Sequence, residues 1–128
     1  MGQQQLLLII LGVIIVGIAI AVGLSMFTAQ SVNANRDAII ADITNMAANS
    51  YQYRIRPTSM GGGGGSYVGN TVPTSLASNE NGTYICNSAT ATQVSFTGTS
   101  AQGYGSVTGV YGADGKLAGT FSFTSQFQ

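Results

Sequence analysis

The chain opens on an unbroken apolar run and closes on short alternations of apolar and polar residues. Residues 6–27, LLLIILGVIIVGIAIAVGLSMF, hold 22 positions of which only Ser25 is polar. A helix of that length measures roughly 33 Å, slightly more than the hydrocarbon thickness of a bilayer. From Thr28 the sequence turns polar, yet Val32, Ile39, Ile40, Ile43, Met46, Ala47 and Tyr51 recur at spacings of three and four. That spacing marks one apolar helix face. Arg36, Asp37, Asp42, Asn45 and Asn49 fall mostly elsewhere on the wheel, and Asp37 and Asp42 read as part of a solvated face. The pattern predicts one helix from about residue 2 to about residue 55, with Pro57 as its stop. At about 80 Å it exceeds what a compact domain of this size needs, so its N-terminal half is expected to protrude.

After the helix comes RPTSMGGGGGSYVGNTVPTSL, with glycine at 61–65 and a second proline at Pro73. Glycine at this density predicts an exposed loop from helix to sheet. A phosphate cradle would need a preceding strand and a Lys-Ser or Lys-Thr ending, whereas this run follows a helix and ends in Ser-Tyr. Residues 82–88 (GTYICNS), 93–99 (QVSFTGT), 106–111 (SVTGVY) and 117–125 (LAGTFSFTS) alternate apolar with small polar residues. Such alternation predicts strands buried on one face. Asp114-Gly115 predicts a type I′ hairpin turn. The apolar stripe of the helix can cover the apolar side of the sheet. The expected fold is therefore α+β: a long N-terminal α-helix, apolar in its outer half and amphipathic in its inner half, on a small four-stranded antiparallel head. The segments are 1–27, the hydrophobic half of the helix; 28–56, the amphipathic half; 57–81, the Gly-rich loop; and 82–128, the sheet.

Composition narrows the function. At 128 residues there is room for the N-terminal segment and one small domain. Only 6% of residues are charged and the net charge is zero, so no electrostatic footprint for nucleic acid or an anionic membrane surface is present. Histidine is absent and the four acidic residues are Asp37, Asp42, Glu80 and Asp114, none of which pairs with an obvious nucleophile. An enzyme is not expected, nor a cofactor. Glu80 with nearby asparagines is the one weak calcium candidate. Cys86, in TYIC, cannot form an internal disulfide and reads as a small buried hydrophobe. Asn81-Gly82-Thr83 is an N-glycosylation sequon.

The segment before the apolar run carries no charged side chain, and Arg36 is the first in the chain. A signal peptide would have a basic leader and a shorter apolar core. The expectation is that a basic leader once preceded Met1 and was removed.

This layout resembles the type IV pilin family: a helix with a hydrophobic outer half and an amphipathic inner half, a loop, and a four-stranded antiparallel sheet. The resemblance covers the whole chain as architecture and about the first 30 residues as sequence character. It implies cleavage by a prepilin peptidase after a glycine, leaving an apolar run with glutamate at the fifth mature position. If Gly2 precedes the cut, the mature chain starts at Gln3 and its fifth residue is Leu7; if Met1 is the mature start, that residue is Gln5. The second frame is favoured, since glutamine is the uncharged analogue of the family's glutamate. Gln5 could accept a hydrogen bond from a neighbour's amine but could not cancel its charge. Gln3, Gln4 and Gln5 are expected to act as a group on free helix N-terminal donors.

No proline interrupts the apolar run, so a nearly continuous helix is expected, with any melting between residues 17 and 23. In lipid, helix association depends on close packing. Ala19 and Gly23 form a small-x-x-x-small pair, Gly12 and Gly17 add notches, and Phe27 closes the run. By resemblance, the chain is expected to be the major subunit of a helical homopolymer on the cell surface. Its partners would be copies of itself, the peptidase, the assembly machinery and, before assembly, the inner membrane. A pseudopilin or minor pilin, or a monomeric membrane-anchored extracytoplasmic binding domain, are the alternatives.

Overall fold

A computed structural model describes residues 2–128. It divides into two units, residues up to Val32 and Asn33–Gln128. One helix, α1 (Gly2–Ile55), supplies the whole described part of the first unit and the opening of the second. It is unbroken from residue 17 to 23, the stretch where any melting is expected from the glycines. With no proline before Pro57, nothing in the sequence removes a donor from its hydrogen-bond ladder.

The helix ends where the glycine run folds back on it. The last carbonyls of an α-helix have no partner within it. Here the N–H groups of Gly63, Gly65 and Gly64 donate to the carbonyls of Tyr53, Arg54 and Arg56 at 2.8, 2.6 and 3.0 Å. A β-carbon on Gly62 would strike the Arg56 carbonyl oxygen, and one on Gly63 the Ser66 carbonyl oxygen. The run is thus a helix cap whose close backbone approach only glycine allows. Between Pro57 and the cap lies a short 3-10 turn, Thr58–Met60.

In the second unit four strands, β1 (Gly82–Ala89), β2 (Val94–Ser100), β3 (Ser106–Tyr111) and β4 (Ser122–Phe123), form an antiparallel sheet in the order 1-2-3-4. Tyr84 faces Gly98 and Phe96 faces Gly109, and the register shifts between Cys86 and Ser88. Alternation in β2 and β3 sends Val94, Phe96, Val107 and Tyr111 into the core. Ile39, Ile43, Met46 and Ala47 of α1 are buried with them. Gly98 makes room for the helix: a β-carbon there would come within 2.6 Å of Ile39 Cγ2. On the opposite face the hydroxyls of Thr97 and Thr108 meet at 2.9 Å, and Asn87 donates to Thr97.

Four local expectations need correction. The strand anticipated over 117–125 reduces to Ser122–Phe123 plus a single bridge between Tyr111 and Leu117. Gly119 at φ 90° interrupts the ladder, and the last residues wind into a 3-10 turn, Ser125–Phe127, that buries Phe127. The hairpin turn is not type I′, because Gly115 (φ 78°) has positive φ and Asp114 does not. Gly115 N–H bonds back to Gly112 O at 3.1 Å, closing a turn of the type I kind with a left-handed glycine at its end. Cys86 is half-buried, beside the register shift that lifts this part of β1 off regular pairing. Asp42 is not on a solvated face; its carboxylate is a hydrogen-bond hub, described below.

Candidate functional site

The apolar segment is the first candidate. Every large hydrophobic side chain from Leu6 to Phe27 is 52–73% exposed within the single chain. α1 is, among the described residues, the helix long and apolar enough to cross a membrane. Gly12, Gly17 and Gly23 are open notches, with nothing within 4 Å of where a β-carbon would stand. At roughly 100° per residue, Gly12, Ala19 and Gly23 fall within about 40° of one another, and Gln5 shares that face. Gly17 points roughly 120–160° away and belongs to a different face. Gln3, Gln4 and Gln5 follow one another at steps of roughly 100°, so they ring the helix and do not form one patch. All three are exposed, as is Phe27. Met1, also expected to take part in assembly, lies outside the described residues.

The second unit holds a polar latch that sequence reasoning misses. Asp42 Oδ2 accepts hydrogen bonds from the Tyr84 hydroxyl, from Asn79 Nδ2 at 2.9 Å and from Asn81 Nδ2 at 3.1 Å. About two turns earlier on the helix, Asn35 Nδ2 donates to the Asn81 carbonyl at 3.1 Å. Asn79 Oδ1 in turn accepts from the N–H groups of Asn81 and Gly82 at 2.9 and 3.1 Å. The helix therefore grips the segment that enters β1. Partial burial pushes the Asp42 carboxyl upward, but the three donors outweigh it and hold it below the ordinary carboxylate value. Burial, and then the hydrogen bond to the charged Asp42, push the Tyr84 phenol far above its ordinary value.

Two further candidates lie at the latch. Asn81 Nδ2, the atom a glycan would occupy, is already donating to Asp42. The amide nitrogens of Asn79 and Asn81 turn toward Asp42, and the Asn79 amide oxygen accepts the Asn81 and Gly82 N–H groups. Among the described residues no group of three or more His, Cys, Asp or Glu side chains is placed to hold a metal ion.

At the other end of the helix, Ser50 Oγ donates to Met46 O at 2.9 Å and accepts from Asn70 Nδ2 at 2.8 Å. Tyr67 is fully buried, donates to Gly112 O at 2.7 Å and lies under the Arg54 guanidinium at 5.7 Å. Asn35 and Ser50 continue the spacing of Val32, Ile39, Ile43, Met46 and Ala47, and all seven are buried. That spacing is readable in the sequence, but a stripe defined by apolar residues passes over its polar members.

Comparison of the chain with protein-family models, with curated proteins and with solved structures gives no match.

Proposed function

We propose that this chain is the structural subunit of a helical filament of the type IV pilus kind, displayed at the cell surface. The observation that carries the reading is the 6–27 segment, helical and exposed on every side, with a separate unit that closes its own core. Fully burying each large apolar side chain is worth about 1.5–3 kcal/mol, so exposing the whole segment to water is prohibitive. A bilayer before assembly and the helices of other copies afterwards both supply the missing cover.

In this reading the membrane stores subunits, cleaved by a prepilin peptidase, until the assembly machinery extracts and stacks them. The open face of Gly12, Ala19 and Gly23 lets neighbouring helices approach closely. Gln5 accepts a hydrogen bond from a neighbour's N-terminal amine without neutralising it. The second unit, with its ladder of Ser and Thr hydroxyls, forms the outer surface.

Filaments sheared from cells and imaged by electron cryomicroscopy test this directly. Density that traces this chain, with residues 6–27 bundled along the axis, is the expected result. Recovery of the protein only as single copies in the membrane fraction would overturn it in favour of an anchored binding domain.

A further inference from the structure

All eight charged side chains of the protein lie in the second unit, and they segregate to opposite ends of its helix. Arg36, Asp37 and Asp42 stand on the first turns of the helix in this unit. Glu80 joins them, because its neighbours Asn79 and Asn81 both bond to Asp42. Arg54 and Arg56 stand at the helix C-terminus. Asp114 and Lys116 join these, because Gly115 between them packs so closely on the Tyr51 ring that an added β-carbon would come within 2.7 Å of it. One end thus holds three carboxylates and one cation, the other three cations and one carboxylate. Along the helix the groups are roughly 18–28 Å apart. That exceeds the Debye length of about 8 Å at physiological salt, so each end presents its own local field.

Several of these charges are already committed. Asp42 is held by the latch, Asp37 lies 3.9 Å from Arg36, Arg36 covers the Phe123 ring and Arg54 covers the Tyr67 ring. Among the described residues, Glu80 at one end and Arg56, Lys116 and Asp114 at the other are exposed with no charged partner, and Asp114 is turned back on the loop, accepting the Lys116 N–H at 3.0 Å. Arg56 also lines a cavity of about 150 Å³ with Asn49, Tyr53 and Thr71, floored by Met46 and Phe96. Beside the Arg56 guanidinium, the Asn49 amide and the Thr71 hydroxyl can donate to a carboxylate side chain, while the Tyr53 hydroxyl already donates to the Val68 carbonyl at 3.0 Å.

We infer that the occupant is a second copy of this chain, whose Glu80 end docks on the Arg56 end of its neighbour in a polar, head-to-tail contact. The inference rests on the filament reading and specifies its outer contact. Copies stacked parallel bring unlike ends together, whereas antiparallel copies bring like ends together. The segregation therefore selects one polarity, and a parallel stack can repeat without closing.

Charge reversal tests the pairing in the full chain, in the cells that make it. Glu80→Arg and Arg56→Glu singly should each lower the yield of sheared filaments by about fivefold or more, with the subunit's level in the membrane fraction unchanged. The double variant, Glu80→Arg with Arg56→Glu, should restore the yield. Filament yield undiminished in the single variants, or a double variant no better than the singles, would overturn the docking while leaving the filament reading in place. Absence of filaments from the unmutated chain would instead remove the filament reading, and this inference with it.

Discussion

Asp42 on the helix and Tyr84 on β1 are joined by a hydrogen bond between a carboxylate and a phenol, across 42 positions of sequence. Tyr84 is buried, and its ring also lies against the Gly98 gap through which Ile39 enters the core. The bond thus locks the polar rim of the helix–sheet contact beside the point where Ile39 packs against Gly98. Replacing Asp42 by Ala leaves Tyr84, Asn79 and Asn81 without their acceptor and should lower stability by about 2–3 kcal/mol. Tyr84→Phe removes one of the three bonds and should cost about 1–2 kcal/mol. Denaturant unfolding of the detergent-solubilised chain, followed by near-UV circular dichroism, measures both.

The same pair sets the pH limits. The Asp42 carboxyl is held below its ordinary value in the folded protein, so between the folded value and about pH 3.9 the unfolded chain binds the extra proton. Its contribution is complete above that range and is lost as pH falls through the folded value; Asp42→Asn should flatten this acid limb. Tyr84 behaves oppositely. Its folded phenol is raised, so above about pH 10 the unfolded chain ionises first and stability falls as pH rises. Tyr84→Phe should make that alkaline limb shallower, leaving the same-signed effects of Tyr67 and Tyr111, whose phenols burial also raises.

Gly63→Ala should be more damaging than an alanine at most other loop glycines. The new β-carbon would collide with the Ser66 carbonyl and displace the N–H that caps Tyr53. A loss of about 2–3 kcal/mol is expected, in the range of overpacking against an unyielding neighbour. At Gly61 the space is open and only the positive φ is strained, so alanine there should cost about 1 kcal/mol. Thermal midpoints of the two variants, compared in one detergent, rank them.

Phe127 is 1% exposed, and its ring packs near Gly105. Phe127→Ala should destabilise the second unit by about 3–5 kcal/mol. Ile85, on the exposed side of β1 at 59%, is the control: Ile85→Ser should change stability by no more than about 0.5 kcal/mol. Limited proteolysis of membrane preparations distinguishes the two.

Leucine at Gly23 would fill an open notch without touching anything within the single chain. On the filament reading, Gly23→Leu should leave the subunit in the membrane yet reduce filament yield by about tenfold, the loss expected when a close helix approach worth about 1.4 kcal/mol or more is blocked. Sheared-filament yield against membrane-fraction level reads the effect.

Much of this architecture is decided by local pattern. An apolar run without proline, followed by residues at spacings of three and four, can bury its faces only as a helix, and α1 spans Gly2–Ile55 accordingly. Alternation places β3 at Ser106–Tyr111 and β1 and β2 to within a residue at each end, because a sheet buried on one face must repeat every second position. The tertiary structure decided what those rules leave undetermined. Asp42 looks like any surface carboxylate until the chain returns 37 to 42 residues later with Asn79, Asn81 and Tyr84. The five glycines look like slack until they meet the helix carbonyls they cap. The end of the chain reads as a strand until Gly119 breaks the ladder and Phe127 finds the core. Periodicity records only which side of an element is covered; the identity of the covering group depends on residues far away in sequence, and only the folded chain brings them together.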